Sequence, residues 1–461
     1  MSDTPKHFKT KLRHRKLSHV LRFEGRPDGH RPSPEVVVLE AASGSEAKPP
    51  VRIYLGTEPR QFRAERVFVW SIDQVRDPAR RYEINLMKDL AGFDRHDWKT
   101  GFTNFRYAIP LLAGGQGRAI YNDVDQIYLS DPAELFDLDM QGCGQMSITR
   151  RETSVMLLDC EKMLPIWDVE AARHGKRHKH FRAEVAAVDG LWRQLPGIWN
   201  ARDDEFVEGE SKLLHYTTLQ TQPWQPFPEQ LKYRHNPNGH AWERLEKVAD
   251  EAGYTVFTRD RPSRRHAELL ERYAGLHRAN SMPDNPALQA WMAGEMADRQ
   301  VRDVSRRIQQ SDASSILHFL SGRAETYGAA LAPPSPWKDV SIACFDPACE
   351  RNAASPGEAY DGVICIDALH WYSDEDIPWL LDEMFRRARR FVYASIDCYP
   401  SLADSAPVDD GPVTVAPASW WREQMEGAAR RCPGVPWTLR AHDKMLSVSR
   451  SHTFSGQGLA A

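Results

Sequence analysis

Gly117-Arg-Ala-Ile-Tyr-Asn-Asp-Val-Asp-Gln-Ile-Tyr-Leu-Ser-Asp131 closes a short apolar run with two carboxylates, Asp123 and Asp125, at positions i and i+2. In an extended segment such residues point the same way. Both carboxylates then reach one hard cation, which can hold a diphosphate oxygen. The spacing is not decisive by itself, because Asp137-Leu-Asp139 and Asp374-Glu-Asp376 repeat it. What surrounds each pair has to discriminate between them.

Moving towards the N-terminus, Phe105 to Leu112 reads as a helix stopped by Gly114-Gly115. Val51-Arg-Ile-Tyr-Leu-Gly-Thr57 reads as a strand, and Val67-Phe-Val-Trp-Ser-Ile72 as a second strand after a polar crossover. Arg118 to Tyr121 is then a strand that delivers the carboxylate pair, and the C-terminal ends of strands are where open α/β sheets place ligands. Towards the C-terminus, Ser154-Val-Met-Leu-Leu-Asp159 is a further buried strand. The chain continues through Trp199-Asn200 to Lys212-Leu-Leu-His215 and Gln222-Pro-Trp224.

At 461 residues the chain exceeds the size at which one core keeps growing, so two domains are expected. Hydrophobic content of 41% and a net charge of -4 describe a globular protein and point to no nucleic-acid partner. Seven Cys, odd in number and without a Cys-x-x-Cys pair, argue against a disulfide framework and a zinc knuckle and favour a reducing, cytoplasmic setting. No apolar run approaches the roughly 20 residues of a membrane span. Residues 1–50 read as a flexible lead-in whose basic cluster, Lys9, Lys11, Arg13, Arg15 and Lys16, leaves room for peripheral contact with an anionic membrane. The expected domains are 51–255 and 265–450, with 451–461 as a tail.

The second domain opens with helical residues 286–310. It continues with strands at Ser315 to Leu320, Val340 to Asp346 and Tyr360 to Asp367, a helix from Ile377 to Arg389, and a strand from Arg390 to Ile396. Strands alternating with helices predict a mostly parallel α/β sheet.

From Val51 to Trp224 the chain resembles the nucleotide-sugar glycosyltransferases of the GT-A fold, in arrangement family 8. The parts that carry the resemblance are Gly56-Thr57 at the end of the first strand, Phe102-Thr-Asn-Phe-Arg-Tyr-Ala-Ile-Pro110, Asp123-Val-Asp125, Asp131-Pro-Ala-Glu-Leu135, Ser154 to Asp159, Trp199-Asn200, and His215 leading to Pro223-Trp224. The resemblance implies transfer of a sugar from a nucleotide-sugar donor, commonly a UDP-sugar, to a glycan or lipid-linked glycan acceptor. It implies that Asp125 and His215 ligate a divalent ion and that Asp123 is shared between the ion and the donor ribose. It places Gly56, Thr57 and Gln222 at the donor, Arg106 near the diphosphate or sugar, and Asn200 near the transferred sugar or the acceptor. An imidazole beside two carboxylates suits Mn²⁺ better than Mg²⁺. The chain departs from the family where Gln222 stands in place of a phosphate-binding Lys, and Lys212 is the nearby cation that can compensate.

Residues 286–400 resemble a class I S-adenosylmethionine-dependent methyltransferase, through Ala343-Cys-Phe-Asp-Pro347 and Tyr360 to Trp371. Asp346 would hold the cofactor ribose. The glycine-rich loop of that family is depleted: His318 replaces its acid, Leu320 and Ala324 replace two glycines, and only Gly322 remains. A GT-A domain followed by a Rossmann-like methyltransferase-type domain is therefore the expected architecture, with S-adenosylmethionine binding impaired. A bifunctional transferase and a non-catalytic scaffold are the alternatives.

Overall fold

The computed structural model describes residues 31–45, 48–95, 98, 100–228, 230–278, 286–293, 296, 298–322, 337, 339–348, 358–398, 413–444 and 449–457. The basic cluster at Lys9 to Lys16 and the loop position Ala324 lie outside them. The chain divides into two compact units, Met1–Ala249 and Asp250–Ala461.

The first unit contains β1 (Glu35–Leu39), β2 (Val51–Gly56), α1 (Phe62–Val75), β3 (Tyr82–Met87), β4 (Arg118–Asp123), β5 (Gln126–Tyr128), β6 (Gln145–Ser147), β7 (Val155–Asp159), α2 (His178–Ala187), β8 (Trp192–Gln194), β9 (Ala201–Arg202), β10 (Leu213–His215) and α3 (Gly239–Glu251). Seven strands form one sheet in the order β1-β3-β2-β4-β7-β6-β8. Its centre, β3-β2-β4, is parallel, while β1 and β7 run antiparallel to their neighbours. A second, small sheet has the order β5-β10-β9.

Three expectations are corrected in this unit. Val67 to Ile72 is the middle of helix α1, and the next strand is β3. Val67, Phe68, Val69 and Ile72 are all fully buried, so this helix has no polar stripe over that stretch. The small sheet helps cover it: Phe68 meets Tyr128 edge-on at 5.7 Å, and Ser71 Oγ accepts from Tyr128 N at 3.0 Å. A short apolar run buried all round carries no period that separates helix from strand. Next, residues 35–39 of the expected lead-in form an edge strand, with Val37 facing Ile84. Finally, the expected helix from Phe105 is a 3-10 turn, Phe105–Ala108, followed by one α-turn, Ile109–Leu112.

The second unit contains α4 (Arg264–Arg278), α5 (Pro286–Ala293), α6 (Asp298–Ser311), β11 (Ser315–Phe319), β12 (Ser341–Phe345), β13 (Tyr360–Ile366), α7 (Ile377–Arg387), β14 (Ala388–Cys398), α8 (Ala418–Arg431), β15 (Trp437–Lys444) and β16 (Ser449–Gly456). The sheet order is β12-β11-β13-β14-β15-β16, parallel except for the last strand. Its first five strands follow the doubly wound order 2-1-3-4-5, which switches direction between β11 and β13. Every residue of β13 is buried, so both faces of the sheet are covered. Val304 and Ile308 of α6 pack with Ile316, Ile364, Ile366 and Phe391. Residues 451–456 of the expected tail belong to β16, paired along its length with β15.

Candidate metal centre and the residues around it

Strand register builds the site in the first unit. Asp123 ends β4 opposite Gly56 at the end of β2. The chain then turns at once into β5, so Asp125 lies in the turn and not in an extended strand. The pair converges through that turn, which replaces the i, i+2 strand geometry expected from sequence. His215 ends β10 and pairs with Gln126, and Tyr216 N donates to Asp125 O at 2.8 Å. The short β5–β10 ladder therefore sets the imidazole beside the carboxylates. One ligand atom from each of Asp123, Asp125 and His215 lies within 4.8 Å of the others.

The donor set fits a divalent cation. His215 Nδ1 lies 2.8 Å from Asn200 Oδ1, an oxygen that only accepts, so Nδ1 carries a proton and Nε2 is the nitrogen left for a ligand. Nε2 faces the buried Asp125 Oδ1 at 3.1 Å, a separation that a shared proton or a cation bridges. Two lone-pair donors so placed repel each other unless a positive charge sits between or beside them. Burial lowers the His215 pKa, but Asp125 and Asp123 more than offset it and the net direction is up. Burial and Asp125 push the Asp123 carboxyl up, against Arg106, Tyr121 and His215. A cation bound there relieves both strains.

Each expected site residue has a defined place. Arg106 is buried and donates to Asp123 Oδ1 at 2.9 Å, to Thr153 O at 2.6 Å and to Thr103 O at 2.9 Å, with its guanidinium 4.4 Å from the Tyr121 ring centroid. Burial works against its charge, and Asp123 together with Tyr121, Tyr107 and Glu152 outweighs it, so the net direction is up. Asn200, 1% exposed, fixes His215 through Oδ1 and donates to Ser154 Oγ at 3.2 Å. Gln222 donates from Nε2 to Asp125 Oδ2 at 3.2 Å and to Tyr216 O at 3.1 Å. Lys212 pairs with Glu134.

Gly56 and Thr57 are occupied within the protein. A Cβ on Gly56 would lie 2.3 Å from Tyr121 Oη and 2.6 Å from Phe102 Cδ2. The hydroxyl of Thr57 donates to Glu65 at 2.9 Å, and Glu65 is in turn paired with Lys88 at 3.2 Å. Residues that sequence reasoning did not single out complete the shell. Tyr121 Oη donates to Asp123 Oδ1 at 2.6 Å, and Ser154 Oγ bridges Asn200 and the His215 ring. Tyr121 was legible, because it shares the Asp123 face of β4 by the period of two.

In the second unit, Asp346 and Gly322 meet each other. Asp346 accepts from Gly322 N at 2.8 Å and from Ala348 N at 2.9 Å, and burial pushes its carboxyl up to about 6. Gly322 has φ +65°, and a Cβ there would meet Trp291 O at 2.5 Å and Met292 O at 2.7 Å. Trp291 Nε1 donates to Leu320 O at 2.9 Å, and its ring stacks on Trp371 at 6.1 Å. Helix α5 thus lies against the glycine at the sheet's switch point.

No protein-family model matches the chain, and no curated protein does. Among solved structures it is similar to the WbbM bifunctional glycosyltransferase, at 11% identity and TM-score 0.29 over 45% of this chain, and it spans 54% of that protein's length. It is similar to the galactosyltransferase LgtC in complex with donor and acceptor sugar analogues, at 12% identity and TM-score 0.30, covering 42% of this chain and 95% of that one. It is also similar to the glycosyltransferase GlyE of Streptococcus pneumoniae TIGR4, at 11% identity and TM-score 0.33, covering 84% and 100%. These structural neighbours are glycosyltransferases, and at such TM-scores none of them assigns this chain an activity. No described helix is long and apolar enough to cross a membrane.

Proposed function

We propose that the first unit is a metal-dependent glycosyltransferase that moves a sugar from a nucleotide diphosphate donor, with UDP the favoured carrier, to a glycan acceptor. The reading is carried by one observation: Asp123, Asp125 and His215 converge from two sheets, with the His215 tautomer fixed by Asn200 so that Nε2 faces Asp125. A divalent cation held by these three residues would neutralise the diphosphate leaving group.

The chain's own residues then divide the work. Asn200 holds the imidazole in its ligating tautomer. Arg106 and Tyr121 occupy Oδ1 of Asp123 and fix the carboxylate's direction. Gln222 fixes Oδ2 of Asp125. Gln222 in the family's Lys place thereby serves the carboxylate, and phosphate charge is left to the cation. Mn²⁺ is the favoured ion because of the imidazole. A lipid-linked acceptor belongs to this reading through the family resemblance alone, and a cytoplasmic setting through the cysteine content as well.

For the second unit we propose a partner role without S-adenosylmethionine. What supports this is the pairing of Asp346 with Gly322 and the seating of Trp291 and Met292 carbonyls against that glycine. The test of the main reading is calorimetric titration of the full chain with UDP, with and without Mn²⁺. Binding that requires Mn²⁺ is expected; no binding in either condition removes the uridine-nucleotide reading.

A further inference from the structure

Past His215 the chain folds back on itself, and residues between Thr221 and Glu243 line a half-open pocket of about 390 Å³. Gln222, the side chain that holds Asp125, lines it. Gln222 is 4% exposed, and its Oε1 is buried with no hydrogen bond among the described residues. The pocket thus adjoins the carboxylate site through the Gln222 side chain.

Its walls differ in character. Pro223, Pro228, Leu231 and Tyr233 supply apolar surface. The Tyr233 ring is held in place because its Oη accepts from Phe227 N at 3.0 Å. Asn236 is fixed by Nδ2 donating to Thr221 Oγ1 at 3.3 Å and by Oδ1 accepting from Asn238 N at 2.9 Å. Arg234 and Glu243 stand exposed at the edge, one of each sign.

This chemistry selects among ligands. A nucleoside diphosphate needs a surplus of positive charge or a cradle of backbone amides; here Glu243 balances Arg234, and the remaining titratable group of the lining is His235. A purely apolar ligand would draw water from Arg234, His235 and Glu243 and give them no partner. A pyranose ring suits both walls, with a C–H face for the prolines and Tyr233, and vicinal hydroxyls that donate and accept towards Arg234, His235 and Glu243. The volume is near the lower end of the range for small-molecule pockets, roughly 300–1,000 Å³, which suits one ring better than an oligosaccharide.

We propose that this cavity is a carbohydrate subsite for one uncharged pyranose unit of the acceptor glycan. That it serves the acceptor rests on the glycosyltransferase reading; that it binds a sugar ring does not.

The test is saturation-transfer NMR on the full chain with methyl glucoside, methyl galactoside and methyl mannoside, with methyl glucuronide and inorganic phosphate as charged comparators. At least one neutral glycoside should show transfer. Arg234→Ala and Glu243→Ala should each weaken it by about tenfold or more, as loss of a charge-assisted hydrogen bond does, with unchanged melting temperatures. Both side chains are exposed, and either variant suffices if the other misfolds. No transfer from any neutral glycoside, equal transfer in wild type and variants, or preference for glucuronide or phosphate would overturn the proposal. The UDP titration separates the two readings: sugar binding without UDP binding leaves the subsite and removes its acceptor role, whereas UDP binding without sugar transfer removes the subsite alone.

Discussion

Arg106 Nη2 donates to Asp123 Oδ1 at 2.9 Å, so the first carboxylate of the pair is already tied to a buried cation. Tyr121 Oη reaches the same oxygen at 2.6 Å. Asp123 therefore has Oδ2 left to offer, and its direction depends on Arg106. Replacing Arg106 by Met should strand a carboxylate in a buried setting and destabilise the fold by about 3 kcal/mol, the lower end for broken buried pairs because Asp123 is partly exposed. Urea denaturation reads the loss. Arg106→Lys should recover part of the stability but not the three-way contact with Thr103, Thr153 and Asp123.

Asn200 acts through His215. Asn200→Ala frees the imidazole to take the other tautomer, and affinity for Mn²⁺ should fall by about 10–100-fold, the range for loss of a partner that orients a ligand. Asn200→Asp should preserve or raise affinity, because a carboxylate still accepts from Nδ1–H. Calorimetry with Mn²⁺ alone distinguishes this from a folding defect, as would an unchanged melting temperature.

Gly56 bears on the site through crowding. An Ala there places Cβ 2.3 Å from Tyr121 Oη, so the phenol must move and its hydrogen bond to Asp123 must break. Gly56→Ala should cost about 1–3 kcal/mol, as overpacking does. Gly56→Ala combined with Tyr121→Phe should cost less than the sum of the two, because the clashing atom is gone.

In the second unit, Asp382 and Arg431 are both nearly inaccessible and form a two-armed pair at 2.7 and 2.9 Å that joins α7 to α8. Asp382→Ala should destabilise by about 3–5 kcal/mol, since it leaves a buried guanidinium unpaired. Removing both, as Asp382→Leu with Arg431→Met, should cost less than Asp382→Ala alone. Chemical denaturation of the three proteins is the measurement.

Asp376 predicts a pH dependence. It accepts from Ser263 N at 3.1 Å, from Ser263 Oγ, and from Trp379 Nε1 at 2.7 Å, and burial pushes its carboxyl up to about 7. The folded state then keeps a proton that the unfolded chain releases near pH 4. Stability from this group is complete below about pH 4, declines as pH rises, and is lost above about 7. The slope is at most about 1.4 kcal/mol per pH unit. Asp376→Asn mimics the protonated form and should flatten the difference. Melting temperatures of both proteins from pH 4 to 8 give the comparison.

The sequence by itself determined which residues could form the candidate metal centre and much of the sheet content. Asp123, Asp125 and His215 were legible because few residue types ligate a hard cation. β2, β7, β11 and β13 were legible because buried strands read as short continuous apolar runs between turn residues. Tertiary structure decided the rest. Val67 to Ile72 became helix because cover from β5 removed the polar stripe that would have marked its period. Asn200 and Gln222 became holders of His215 and Asp125 because the β5–β10 register brought distant segments together. The Trp291 and Met292 carbonyls lie against Gly322 because helix α5 packs on the loop after β11, a contact between segments that the sequence does not display. A residue's type limits the bonds it can make, but the partner that claims them is set by packing between segments far apart in the chain.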